Sequence, residues 1–119
     1  MNIARFREVI KERIRIAEEC QDEWTYGIEK CWKDEVEILT EDIPSTIIFL
    51  QNECTADEYS WISEVIEDIA EQTNNRELVE CYKKLMSKFP EECIKFNISM
   101  SVEYAESALE EERDNGEEK

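Results

Sequence analysis

The sequence predicts an all-α fold of about six helices in antiparallel hairpins, arranged as a HEAT-like stack or a helical bundle. Three observations carry this. The 119 residues include only two Gly and two Pro (Gly27, Gly116, Pro44, Pro90), whereas sheets need turn residues at short intervals. Glu, a good helix former, is the commonest residue. Apolar residues recur at helical spacing along most of the chain. The length suits one domain, large enough to bury a core without staples. We place that domain at residues 1–109, followed by a charged tail, 110–119, with no apolar residue and a composition typical of disorder.

The first helix is expected from about Asn2 to Cys20, with Ile3, Phe6, Ile10, Ile14 and Ala17 on one face. The second runs from about Asp22 to Leu39, with Trp24, Ile28, Cys31, Trp32, Val36 and Leu39 as its stripe; Trp24 and Trp32 are therefore expected in the core. Gly27 weakens its first turn. The third, about Ile43 to Glu53, has Asp42 as N-cap and tolerates Pro44 in its first turn; Ile43, Ile47, Leu50 and Cys54 line one side, with Ile48 and Phe49 broadening it. In the fourth, Thr55-Ala56-Asp57-Glu58 reads as a capping box, and Tyr59, Ile62, Val65, Ile66, Ile69 and Thr73 continue the apolar face. Asn74-Asn75 separates it from a fifth helix, about Arg76 to Phe89, which Pro90 ends or turns. A sixth runs from about Ile98 to Glu111. The units Ile47–Ala70 and Val79–Leu109 are both helix–turn–helix, without a convincing sequence repeat.

Charge is the most informative property of the chain. Its formal net value is −17. Residues 1–20 carry net +1, residues 21–75 carry −13, residues 76–98 carry +1 and residues 99–119 carry −6. A fourth helix unbroken at 100° per residue places Asp57, Trp61, Glu64, Asp68 and Glu71 within about 40° of one line. That line lies opposite Ile62, Ile66, Ile69 and Thr73, and no base occurs on the helix. Such a strip, roughly 21 Å long, calls for Lys and Arg from another molecule, with Trp61 as anchor and the acids setting specificity and on-rate. These five are the candidate partner-binding residues. The alternatives are a merely solvated acidic face and a Trp61 covered by a neighbouring helix.

Several chemistries lack their residues. With no His, Ser–His and Cys–His nucleophiles are excluded in their usual form, and Glu-x-x-His di-iron ligation is missing. There is no Gly-rich phosphate loop and no calcium-loop pattern. Five Cys (Cys20, Cys31, Cys54, Cys81, Cys93), without CxxC, read as reduced thiols of a cytosolic chain. They suit buried small hydrophobes or incidental surface thiols. No apolar run approaches the roughly 20 residues of a membrane span. The expectation is a cytoplasmic binding protein, not an enzyme, with no catalytic residue, metal or cofactor and no direct contact with nucleic acid or membrane.

The stretch from Phe49 to Ala70, FLQNECTADEYSWISEVIEDIA, resembles the small acidic helical immunity proteins encoded beside bacterial polymorphic toxins, including contact-dependent growth inhibition systems. Leu78-Val79-Glu80-Cys81-Tyr82-Lys83-Lys84-Leu85 extends the resemblance, which spans about Glu41 to Leu109. It implies a dedicated inhibitor that binds a cognate toxin domain, often a nuclease, and occludes its surface. No contact residue is carried over, because these interfaces differ between cognate pairs. Two other readings share the charge argument: an acidic DNA mimic that blocks a nucleic-acid enzyme, and a helical adaptor for basic peptides.

Overall fold

The computed structural model describes residues 1–20 and 24–117, with side chains through Leu109. Every regular element among them is an α-helix: α1 (Ile3–Glu19), α2 (Thr25–Thr40), α3 (Ile43–Asn52), α4 (Ala56–Ile62), α5 (Ile66–Thr73), α6 (Arg76–Lys84), α7 (Pro90–Phe96) and α8 (Ile98–Glu117). The all-α class holds. The number is eight among the described residues, because the expected fourth helix is divided and the segment after Pro90, expected as a stop or turn, forms a helix of its own. The expected start of the second helix at Asp22 lies outside the described residues, as do the side chains of the charged tail.

Local chemistry explains most of the boundaries. Asn2 and Asp42 cap α1 and α3 by accepting from the backbone N–H of Arg5 and Ser45. At α4 the capping box is complete: the Glu58 N–H donates to the Thr55 hydroxyl, and the Thr55 N–H donates to the Glu58 carboxylate. Asn75 caps α6. Asn74 and Asn97 take left-handed backbone, at φ 49° and 54°, to end α5 and α7, a conformation Asn tolerates better than most residues. Pro90 does not simply stop a helix; it opens α7 from the first turn, where its missing N–H costs nothing.

The expected fourth helix breaks at residues 63–65. There the chain tightens: the Glu64 N–H donates to the Trp61 carbonyl and the Val65 N–H to the Ile62 carbonyl. The Ser60 and Ser63 hydroxyls donate to the carbonyls of Asp57 and Ser60, a local competition that bends helices. A second tightening, over 85–89, ends α6 early.

Two inward assignments are corrected. Trp24 is 44% exposed: it precedes α2 and lays its ring on Gly27, where a Cβ would come within 2.3 Å of the indole. That close approach is what glycine permits in this turn. Ile48 points outward. On α1 the buried face is Phe6, Ile10, Arg13 and Ile16, while Ile3, Ile14 and Ala17 are only half-buried.

The helices pack as a hairpin beside two stacked triplets. α1 lies along α2. Beyond them α3 packs on α6, α4 on α7 and α5 on α8, so α3 does not pair with α4 as an expected hairpin would. α2 contacts both α3 and α5 and joins the hairpin to the triplets. The main core runs from Phe6 and Ile10 through Leu39, Phe49, Tyr59, Ile62, Ile66 and Tyr82 to Ala105. A smaller cluster of Ile16, Ile28 and Cys31 sits between α1 and α2. Cys31, Cys54 and Cys81 are buried, Cys20 and Cys93 half-buried, and all five are free thiols. Burial and the nearby Glu58 carboxylate push the Cys54 thiol up to about 12, which keeps it protonated and unreactive. No helix among the described residues is long and apolar enough to cross a membrane.

Candidate functional site

The acidic middle of the chain meets its first counter-charges inside the molecule, on α1. Arg7 donates from Nε to Glu58 at 2.7 Å. Arg5 reaches Glu37 at 3.1 Å. Arg13 donates to both oxygens of Glu64, from Nε at 3.0 Å and from Nη2 at 2.8 Å. This last pair is the most enclosed, with side-chain exposures of 5% for Arg13 and 26% for Glu64. The fork of the guanidinium fits the carboxylate in a bidentate way that lysine cannot reproduce.

Trp61 and Glu64 therefore belong to a seam between α1, α2 and the α4–α5 turn. The Arg13 guanidinium carbon lies 5.0 Å from the centroid of the Trp61 ring, a cation–π distance. Trp61 is half-buried against the core, and its Nε1 has no hydrogen-bond partner among the described residues. Trp32 completes the seam from α2 by donating from Nε1 to Glu64 Oε1 at 3.0 Å. Beside it, Glu35 is fully buried with neither carboxylate oxygen hydrogen-bonded among the described residues. Burial pushes the Glu35 carboxyl up to about 8, the Glu64 carboxylate adds to the rise, and Arg13 opposes it. The carboxyl is thus mostly neutral at pH 7.

The break at 63–65 also divides the expected strip. Asp57 is exposed on the first turn of α4, while Asp68 and Glu71 are exposed on α5. The strip of Asp57, Trp61, Glu64, Asp68 and Glu71 is not one continuous surface. Its ends stand on two helices, and its centre is engaged by Arg13.

What does form is a groove of about 710 Å³ between α2 and α5. Trp32, Val36 and Thr40 line it from α2, together with Glu29, Lys33 and Glu37; Asp68, Glu71 and Gln72 line it from α5. Four carboxylates face one ammonium around a Trp ring. Glu29, Asp68 and Glu71 enter no ion pair among the described residues, whereas Glu37 is shared with Arg5. Two of the five predicted residues, Asp68 and Glu71, are in this groove. Glu29, Trp32 and Glu37 on the facing helix were not predicted, because their partnership with α5 depends on how two distant segments pack.

The groove has the chemistry of a cation receptor: an aromatic face and carboxylates with acceptor capacity to spare. Among the described residues no group of three or more acidic or Cys side chains is placed to hold a metal ion. In comparisons with known proteins, no family model, curated protein or solved structure matches the chain.

Proposed function

We propose that this chain is an inhibitor that binds a basic protein domain, of the kind a bacterial nuclease toxin presents, and neutralises it by covering its surface. The observation that carries the reading is the α2–α5 groove, where Glu29, Asp68 and Glu71, in no ion pair among the described residues, outnumber Lys33 around Trp32. A nuclease must present Lys and Arg to hold phosphates. An acidic groove competes for those same side chains, and its field speeds encounter with them. Trp32 supplies a ring on which an Arg or Lys of the partner can lie. The resemblance of residues 49–70 to toxin-immunity proteins agrees with this reading.

The test is direct. The protein encoded by the adjacent gene is purified and mixed with this protein at about 50 mM salt, where phosphate-binding surfaces associate most strongly. The expected result is a stable complex and loss of nuclease activity. Absence of both at that salt contradicts the proposal.

A further inference from the structure

We propose that Glu35 is a protonation-controlled latch on α2, one turn from the groove residue Trp32, deciding whether Arg13 stays on Glu64 and whether Trp32 stays in the groove wall. The geometry behind this is a chain of contacts from the buried carboxyl to the groove. Trp32 lines the groove and donates to Glu64 Oε1. Glu64 in turn is gripped by both donor arms of Arg13. Glu35 lies one turn along α2 from Trp32, fully buried and without a hydrogen-bond partner among the described residues.

The charged and titratable groups facing Glu35 are Arg13 from α1, Cys31 and Asp34 from its own helix, and Glu64 from the α4–α5 turn. Only Arg13 among them is positive. While the Glu35 carboxyl is neutral, Arg13 answers to Glu64. Once it ionises, a buried carboxylate competes with the partly exposed Glu64 for the same guanidinium, and an unpaired buried charge is far more costly than a shared one. Relief comes from drawing Arg13 away from Glu64 or from admitting water. Either loosens the acceptor that orients Trp32. The rise of the Glu35 carboxyl to about 8, caused first by burial and then by Glu64, puts this event just above neutrality. The Cys31 thiol, itself pushed up by burial and by Glu35, stays neutral through the same range.

The consequence for partner binding rests on the function proposed above, but the latch itself is read in the isolated protein. The indole N–H resonance of Trp32, assigned with Trp32→Phe, is followed from pH 6 to 9.5. The expected result is a transition centred near 8 in the native chain and none in Glu35→Gln. In Glu64→Gln, the loss of a like charge and the weaker hold on Arg13 should move the transition down by at least one pH unit. A Trp32 resonance that does not respond, or a transition that survives in Glu35→Gln, overturns the latch whether or not a toxin partner is found. If the latch holds and a toxin domain binds, its affinity should change at least threefold between pH 7 and 9 in the native chain and stay level in Glu35→Gln. A level affinity in both would confine the latch to the free protein and overturn its control of the groove.

Discussion

Tyr59 and Tyr82 bond each other reciprocally: the Tyr59 hydroxyl donates to the Tyr82 carbonyl at 3.1 Å, and the Tyr82 hydroxyl donates to the Tyr59 carbonyl at 2.8 Å. Their rings stack with centroids 4.4 Å apart, and both residues are fully buried. The pair ties α4 to α6, one helix from each triplet. Each hydroxyl satisfies a carbonyl on the other helix, which a buried Tyr must do to avoid a desolvation penalty.

Replacing either Tyr by Phe removes one of these bonds while keeping the ring. We predict a loss of about 1–3 kcal/mol for each variant, measured by urea unfolding. The double variant should cost less than the sum, since the two bonds share one pair of backbones. Losses below about 0.5 kcal/mol would mean that water replaces the hydroxyls.

Arg13 joins the hairpin to the α4–α5 turn through Glu64 and covers Trp61. Replacing it by Met keeps the apolar stem but leaves carboxylates on the seam without this guanidinium. The expected cost is about 2–4 kcal/mol, toward the lower part of the range for broken buried pairs because Glu64 retains some water access. Glu64→Gln, which keeps an acceptor for Trp32 and Arg13, should cost less. Equal losses for the two variants would contradict that ordering.

Glu35 reverses the usual pH dependence of a carboxylate. Its carboxyl sits at about 8 in the folded chain, against an ordinary value of 4.5. Folding therefore favours the protonated form. The resulting stability is fully present below pH 4.5 and is lost as pH rises to about 8. The shift corresponds to an upper limit of about 5 kcal/mol. In Glu35→Gln that decline should largely vanish, leaving the variant more stable than the native chain at pH 8. Thermal unfolding of both proteins from pH 5 to 9 checks this; parallel curves would contradict it.

The elements and caps were legible because their signals are local. Asp42 and Thr55-x-x-Glu58 announce helix starts by side-chain chemistry that needs no tertiary partner. The break at 63–65 was hidden because neither Gly nor Pro marks it and two serine hydroxyls suffice. The seam was hidden by residue type, not by spacing. Phe6, Ile10 and Arg13 fall at i, i+4 and i+7, as do Ile28, Cys31 and Glu35 at i, i+3 and i+7, so helical periodicity already put one base and one acid on inward faces. Two opposite charges that interrupt apolar stripes on neighbouring helices are the signal that would have found it. Arg13 also explains why Glu64, unlike Asp68 and Glu71, does not simply await an outside base. The groove needed the fold itself, since Glu29 and Asp68 are brought together only by the packing of α2 on α5.

The central claim is that the α2–α5 groove, and not acidity in general, binds a basic partner. Trp61 and Glu64 do not report on this cleanly, because changing them disturbs the seam. Asp68 and Glu71 are exposed groove residues, and Glu91 and Glu103 are exposed acids elsewhere. Each pair includes one acid in the first turn of its helix. The deciding measurement is the affinity of the basic partner domain for Asp68→Lys with Glu71→Lys beside Glu91→Lys with Glu103→Lys, at one salt concentration. Both variants change net charge equally. The account predicts a loss of roughly tenfold or more for the groove pair and about threefold or less for the control, the scale of general attraction. Equal losses in the two variants would contradict it.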